Sequence, residues 1–273
     1  MVADLHVHTT ASDGRYTPEE VWAQATRAGL GHLAITDHDT LDGFLALVGR
    51  TAGGPVLIPG IEFSTDLPAC EVHILGYIFN PADAELNRQL ALIAGDRLTR
   101  AERMVAKLAD LGYPVAYDRV LAIAGASSSV GRPHVAHALV EEGYFPDVAA
   151  VFDTVLERGK PGYVPHYKLT PAGTVALIKN AGGLAVLAHP GLVGDDAVVR
   201  AMLELGIDGI EAYHPSHDKE ATARYLAMAD EYGLAVTGGS DFHGIPGRFP
   251  ETLGEFVVPG DLAVHLLKRP VQA

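Results

Sequence analysis

Imidazoles and carboxylates, often side by side, recur at six places along this 273-residue chain. Asp4-Leu5-His6-Val7-His8 comes first, with Asp13 close behind. Thr36-Asp37-His38-Asp39, Gly60-Ile61-Glu62, Glu71-Val72-His73, Ala188-His189-Pro190 and Ser240-Asp241-Phe242-His243 follow. Gathered in one pocket, such groups would hold several divalent cations and support metal-assisted hydrolysis. His6 and His8 are two apart, so on a strand both rings face the same side and can reach one ion. Asp241 and His243 repeat that spacing. Glu62 could bridge two cations and offset their repulsion. Each position also has a structural alternative. His73 alone could be an interior strand residue, and Asp13 in Ser12-Asp13-Gly14 could serve a turn. Asp37 or Asp39 could orient the His38 ring, while Asp39 or Thr40 could cap a helix starting near Leu41. The repetition at strand ends favours the metal reading, because function in α/β folds collects at the carboxyl ends of strands.

Positioning these groups requires a barrel or sheet of βα units. Short apolar runs at 3–7, 32–36, 56–59, 72–77, 184–188, 209–213 and 234–237 read as strands buried on both faces of a parallel sheet. Thr17-Pro18-Glu19-Glu20 supplies an N-cap, an early proline and a capping-box glutamate, and Gly29 ends that helix. Thr170-Pro171 opens another, closed by Gly182-Gly183. Gly238-Gly239 lets backbone pack closely before Asp241. Between 82 and 163 the pattern is helical throughout, with expected helices at 83–111, 118–124, 133–142 and 147–156. This predicts a domain formed by 1–81 and 164–273, interrupted by a helical insertion at 82–163.

A hydrophobic content of 48% is enough for a sizeable core. With 34 acidic against 20 basic residues, the formal charge of −14 disfavours extended duplex DNA as a partner. Small phosphorylated ligands remain compatible, since bound cations invert the field locally. Cys70 is the only cysteine, so no disulfide forms within the chain. That, with an N-terminal sequence lacking a basic region and apolar signal core, predicts a cytoplasmic location. No apolar run is long enough to span a membrane.

The set His-x-His, Thr-Asp-His-Asp, Gly-x-Glu, Glu-Val-His-Ile-Leu-Gly, Ala-His-Pro and Asp-x-His resembles the polymerase and histidinol phosphatase (PHP) family, in that family's order from Asp4 to His243. The resemblance implies an α/β fold, a distorted (β/α)7 barrel of the PHP type, and a two- or three-metal phosphoesterase site. By motif, His6, His8, Glu62 and Asp241 would hold one ion, and Asp13, His38 and His243 a second. Glu62, His73 and His189 would hold a third. Aspartate at 13, where many relatives carry histidine, and Gly131-Arg132-Pro133-His134-Val135-Ala136 in the insertion narrow the likeness. Both resemble members that remove the 3′-phosphate from nucleoside 3′,5′-bisphosphates such as pAp. Those members are themselves similar to 5′-exonucleases of short RNA oligonucleotides.

The oxygen and imidazole donors suit Mn²⁺, with Fe²⁺ or Zn²⁺ as alternatives. Two close cations would turn a bridging water into hydroxide for in-line attack on phosphorus. Arg132 and His134 are candidates to bind phosphoryl oxygens from a lid-like insertion. His217 is a candidate for substrate contact or for protonating the leaving oxygen. Lys160 and His166 border the insertion without an assigned role. Two other readings compete: a phosphatase of histidinol phosphate or another small phosphomonoester, and a non-enzymatic module that binds nucleotide or metal. No protein partner is implied.

Overall fold

In the computed structural model of this chain, residues 1–50, 53–67, 70–125, 130–165 and 167–269 are described; His166 lies outside them. Eight strands form one sheet: β1 (Val2–Asp4), β2 (Leu30–Ile35), β3 (Val56–Asp66), β4 (Glu71–Tyr77), β5 (Leu184–Leu187), β6 (Gly209–Tyr213), β7 (Ala235–Gly238) and β8 (Val258–Pro259). Their order is β7-β6-β5-β4-β3-β2-β1-β8. Beyond β1 the chain continues extended, and a parallel bridge joins Val7 to Phe242, just past β7. His8 N–H donates to the Phe242 carbonyl at 2.9 Å. These contacts bring the two ends of the sheet together and nearly close an α/β barrel.

The first helix, α1 (Pro18–Arg27), begins as its sequence predicts. Thr17 Oγ1 accepts from Glu20 N–H while the Glu20 carboxylate accepts from Thr17 N–H. That reciprocal pair satisfies two otherwise orphaned donors. Val21, Trp22 and Ala25 turn inward onto a core that includes Leu33, Ile35, Phe44 and Phe242. A second apolar cluster joins Leu5, Ala34, Ile58, Leu75, Tyr77 and Val186. The short α2 (Asp42–Leu45) has Leu41 at its N-cap position with no side-chain cap. The capping role considered for Asp39 is not used there, because its carboxylate accepts instead from Ser64 N–H.

The sheet is not parallel throughout, as the apolar runs had implied. The β1–β2, β2–β3, β5–β6 and β6–β7 pairs are parallel, but β4 runs antiparallel to both β3 and β5. The difference originates at Pro59-Gly60. The sequence reading ends a strand there, whereas β3 continues for seven more residues to Asp66. Pro59 closes the ladder with β2, and Gly60 opens the ladder with β4. The remaining link to Glu71 is too short for the crossover a parallel pair needs, so the chain folds back as a hairpin. The two-residue β8, antiparallel to β1, is also absent from the sequence reading.

The chain divides into two compact units, residues 1–88 with 168–273, and residues 89–167. In the second, the remainder of α3 (Ala84–Asp110) is joined by α4 (Tyr117–Ala124), α5 (Arg132–Glu141) and α6 (Val148–Val151), then a π-helical turn at Phe152–Leu156. Met104, Leu108, Val120, Val135, Leu139, Val151 and Leu156 form its own core. The barrel unit is completed by α7 (Pro171–Asn180), α8 (Asp196–Leu203), α9 (Lys219–Tyr232) and α10 (Gly260–Lys268). Thr170 caps α7 by accepting from Gly173 N–H.

Candidate metal centre

Glu62 stands at the centre of the site, fully buried, with five imidazoles around its carboxylate. Its Oε2 lies 3.2 Å from His6 Nε2, 3.2 Å from His8 Nε2 and 3.1 Å from His38 Nδ1. Its Oε1 lies 2.9 Å from both His73 Nδ1 and His189 Nε2. Asp241 Oδ1 adds contacts of 3.5 Å to His6 and 3.2 Å to His8. On the outer side, Asp13 approaches His243 Nε2 at 3.2 Å, His8 Nδ1 at 3.7 Å and His38 Nε2 at 3.8 Å. Thus the barrel brings together all nine residues that the sequence nominates as ligands.

Three sets of donors converge: His6, His8, Glu62 and Asp241; His8, Asp13, His38 and His243; and His38, Glu62 and His73. Within each set the donor atoms lie within 4.8 Å of one another. Two ligands bound to one ion at about 2.1 Å stand about 3.0–3.4 Å apart at octahedral to tetrahedral angles. The imidazole–carboxylate separations fall in or near that range. Among the described residues, His6 Nε2, both His8 nitrogens and Glu62 Oε2 are buried without a hydrogen-bond partner. Buried polar atoms are ordinarily satisfied, so these are the groups a cation would complete. The donors are all nitrogen and oxygen, and the set fits divalent ions of intermediate hardness.

Backbone geometry aims the donors. Asp39, His189 and Asp241 have φ values of 54°, 23° and 50°, a region that side chains other than glycine seldom adopt. Strain of that kind persists where surrounding contacts over-determine the turn. Gly239 permits one such close approach, since a Cβ there would lie 2.3 Å from His6 Cβ. Asp37 organises the loop after β1, accepting from Thr9 N–H at 2.7 Å, Thr9 Oγ1 at 2.8 Å and Ser12 Oγ at 2.6 Å.

The electrostatics follow from crowding carboxylates and imidazoles away from water. Burial opposes the charged form of His6, but Glu211 and Glu62 outweigh it and raise its pKa well above the ordinary value. Burial likewise works against the His8 imidazolium, yet Asp241 and Glu62 bring it up to about 9. Glu62 is held well below the carboxylate range despite its burial, because His38, His6 and His73 surround it. His38 goes the other way, down to about 3, since burial dominates there.

Several contributors escaped the sequence reading. Glu211 is fully buried on β6 between Ile210 and Ala212. It accepts from His6 Nδ1 at 3.0 Å and from His189 N–H at 2.8 Å. The first contact fixes the His6 tautomer and leaves Nε2 facing Glu62. A lone glutamate inside an apolar strand was the available signal, because buried acids are rarely unpaired. His214, at the end of β6, points Nε2 towards Asp241 Oδ2 at 3.6 Å and is held by Ser216 through Nδ1. It belongs to a His-Pro dipeptide like that at His189. Arg248 donates to Asp241 Oδ2 at 2.7 Å. Glu211→Gln is expected to weaken metal binding about 10- to 100-fold, measured by competition with a chromogenic chelator. Unchanged affinity would remove Glu211 from the ligand-orienting shell.

The remaining candidates fall outside the donor sets, although the His217 ring lies 5.3 Å from that of His214. His217 accepts from Gly191 N–H at Nε2 (3.0 Å), and its Nδ1 donates to the Ala212 carbonyl (2.9 Å). Both ring nitrogens are therefore occupied by backbone. In the helical unit, Arg132 is the first residue of α5, and its guanidinium rests against the rings of Phe152 and Tyr163. His134 Nδ1 accepts from Gly131 N–H at 3.0 Å and caps the same helix.

Comparison with known proteins gives a consistent result. The PHP domain model matches residues 4–115. The 3′,5′-nucleoside bisphosphate phosphatase of Chromobacterium violaceum is 35% identical over 92% of this chain and 90% of its own length. A phosphoribosyl 1,2-cyclic phosphate 1,2-diphosphodiesterase of Eggerthella lenta is 36% identical, covering 92% of this chain and 97% of that protein. The 5′-3′ exoribonuclease Rnm of Salmonella typhimurium is 35% identical over 89% of this chain and 85% of its own. Among solved structures, a metal-dependent phosphoesterase from Bifidobacterium adolescentis superposes with a TM-score of 0.74 at 32% identity, covering 99% of this chain and 96% of that one.

Proposed function

Because the chain belongs to the PHP family and is a metal-dependent phosphoesterase, we propose that it removes the 3′-phosphate from nucleoside 3′,5′-bisphosphates, leaving the nucleoside 5′-monophosphate. The observation that carries this reading is the set of imidazoles and carboxylates converging on Glu62. His6, His8, Glu62 and Asp241 would hold one ion, Asp13, His38 and His243 a second, and His73 and His189 a third with Glu62. Mn²⁺ is the preferred occupant, with Fe²⁺ or Zn²⁺ as alternatives. Bound divalent cations would lower the pKa of a coordinated water and offset charge developing on the phosphoryl oxygens.

The chain's own groups do the positioning. Glu211 holds His6, and Asp241 Oδ2 is fixed by Arg248 and faced by His214. His217 orders the β6 loop by tying Gly191 to Ala212. Arg132 and His134 supply phosphate contacts within the helical unit. Attack on the 3′-phosphorus expels O3′ of a nucleotide whose 5′ side carries phosphate. A 5′→3′ exonuclease releasing 5′-mononucleotides expels the same oxygen, so short RNA ends are a natural second substrate. The reaction suits a cytoplasmic enzyme acting on small nucleotides.

The test is phosphate release from nucleoside 3′,5′-bisphosphate beside histidinol phosphate, with added Mn²⁺. Preference for the bisphosphate by at least about ten-fold in kcat/KM is expected, equivalent to about 1.4 kcal/mol in transition-state binding. Preference for histidinol phosphate would transfer the assignment to that substrate. No turnover of either by metal-replete protein would reject it.

A further inference from the structure

We infer that a cleft in the barrel unit, opening beside Asp241, receives the nucleobase of the nucleotide whose O3′ is expelled. The identity of that occupant rests on the bisphosphate reading above. The cleft itself rests on the barrel unit's own geometry.

The cleft encloses about 300 Å³ and is lined in part by Leu192, His214, Pro215, Asp241, Arg248 and Phe249. Asp241 belongs to a donor set of the metal centre, and His214 Nε2 lies 3.6 Å from its Oδ2. The cleft is therefore continuous with the site of reaction. Its apolar walls belong to the same turns that carry the ligands and their neighbours. Leu192 ends the turn Pro190–Leu192 that follows His189. Pro215 follows His214, and Phe249 lies six residues after His243. Two contacts hold these turns. Gly191 N–H donates to His217 Nε2 at 3.0 Å, and Gly247 N–H donates to Glu251 Oε1 at 3.1 Å.

Leu192 is nevertheless 60% exposed and Phe249 59% exposed. Single exposed apolar side chains are ordinary, but these two line one cleft that begins at a charged centre. Sites for small organic ligands combine apolar walls with a few fixed polar groups in this way. Charge then selects the occupant. Arg248 places one N–H on Asp241 Oδ2 at 2.7 Å, and its side chain is otherwise half exposed. A guanidinium here disfavours a cationic leaving group such as the amino alcohol histidinol. It favours a neutral, flat group with acceptor atoms along its edge. A nucleobase is such a group, and its π face stacks on an aromatic ring whatever the base. With a 3′-phosphate on the metals, the attached base lies one ribose away, within reach of a cleft that begins at Asp241.

The experiment uses the whole, metal-replete chain as wild type, Phe249→Ala and Phe249→Trp. The Phe249 side chain is mostly exposed, so the fold should tolerate both changes. The readout is kcat/KM for adenosine 3′,5′-bisphosphate divided by that for its base-less analogue, in which hydrogen replaces adenine. Phe249→Ala is expected to lower this ratio about 5- to 100-fold, the range for a base stacked on an aromatic ring. Phe249→Trp should keep it. An unchanged ratio in Phe249→Ala, with both substrates affected alike or not at all, overturns the proposal. A second measurement is independent of turnover. The metal-replete proteins are titrated into 2-aminopurine riboside 5′-monophosphate, whose fluorescence is quenched on stacking. Wild type should quench it and Phe249→Ala should not. Equal quenching by the two proteins, or none by wild type, overturns the base cleft even if the bisphosphate is hydrolysed. Phe249-dependent quenching with no bisphosphate turnover retains the cleft and rejects the bisphosphate as substrate.

Discussion

Glu62→Gln is expected to lower turnover of phosphoester substrates by about 1,000-fold and to leave the purified protein short of metal. Glu62 belongs to two of the three donor sets, and its oxygens contact five different imidazoles. His8 and His38 also fall in two sets, but among the described residues only Glu62 does so as a carboxylate with an oxygen for each ion. Glutamine keeps the shape but removes the charge that lets cations sit close together. It also turns an amide N–H₂ towards nitrogen donors that must face a metal. Because the side chain is fully buried, solvent cannot replace the lost oxygen. The fold should survive, since the hydrophobic clusters are untouched and the removed charge was itself desolvated. Elemental analysis with steady-state kinetics would check both parts. Full metal occupancy in Glu62→Gln would break the claim that this carboxylate bridges the ions.

Much of the site was legible in the sequence because the donors keep their own local signatures, although Glu62 and His73 lie inside β3 and β4 and not at their ends. His6 and His8 share a face by the two-residue period, and their positions in the barrel follow from that period. What was not legible depended on register. Glu211 lies three residues before His214 inside an apolar strand, and nothing local names its partner until the two ends of the sheet meet. Only then does its carboxylate meet His6, more than two hundred residues away. The antiparallel β4 was hidden for a related reason. Pro59-Gly60 looks like the end of a strand, and in one sense it is, since pairing with β2 stops there. The chain nevertheless stays extended and changes partner. That choice is made by the sheet and not by local propensity.

His217 illustrates the opposite limit. Its position after Tyr213-His214-Pro215-Ser216 resembles that of a catalytic histidine, and sequence offers no way to see that both nitrogens meet backbone. Arg100 is similar. Nothing in the sequence marks it within α3, and only tertiary burial shows its Nη2 without a hydrogen-bond partner among the described residues. In both cases the informative quantity is what remains unsatisfied after folding, which a residue's type and spacing do not report.

Metal binding and metal-free stability are expected to respond to pH in opposite directions between about pH 6.5 and pH 9. In the metal-free chain His8 is raised to about 9 and His73 to about 10. Burial disfavours both imidazoliums, but Asp241 and Glu62 around His8, and Glu62 and Glu71 around His73, prevail. These rings carry protons at neutral pH in the folded state, whereas an unfolded histidine loses its proton near pH 6.5. The folded chain therefore binds more protons than the unfolded one across this window. Its stabilisation is fully present below the unfolded value and declines as pH rises through the folded one. Neighbouring groups do not reverse the sign. Glu62, Asp241 and Asp13 stay ionised throughout, Asp4 has titrated by about 6, and His38 is neutral well below the window. A cation needs neutral imidazole, so loading must expel those protons. Apparent affinity should rise about ten-fold per pH unit for each proton released. Melting curves after chelation and with added Mn²⁺, taken at half-unit steps, would show the two slopes. A metal-free melting temperature that climbs from pH 6.5 to 9 would contradict the assignment of raised pKa values to His8 and His73.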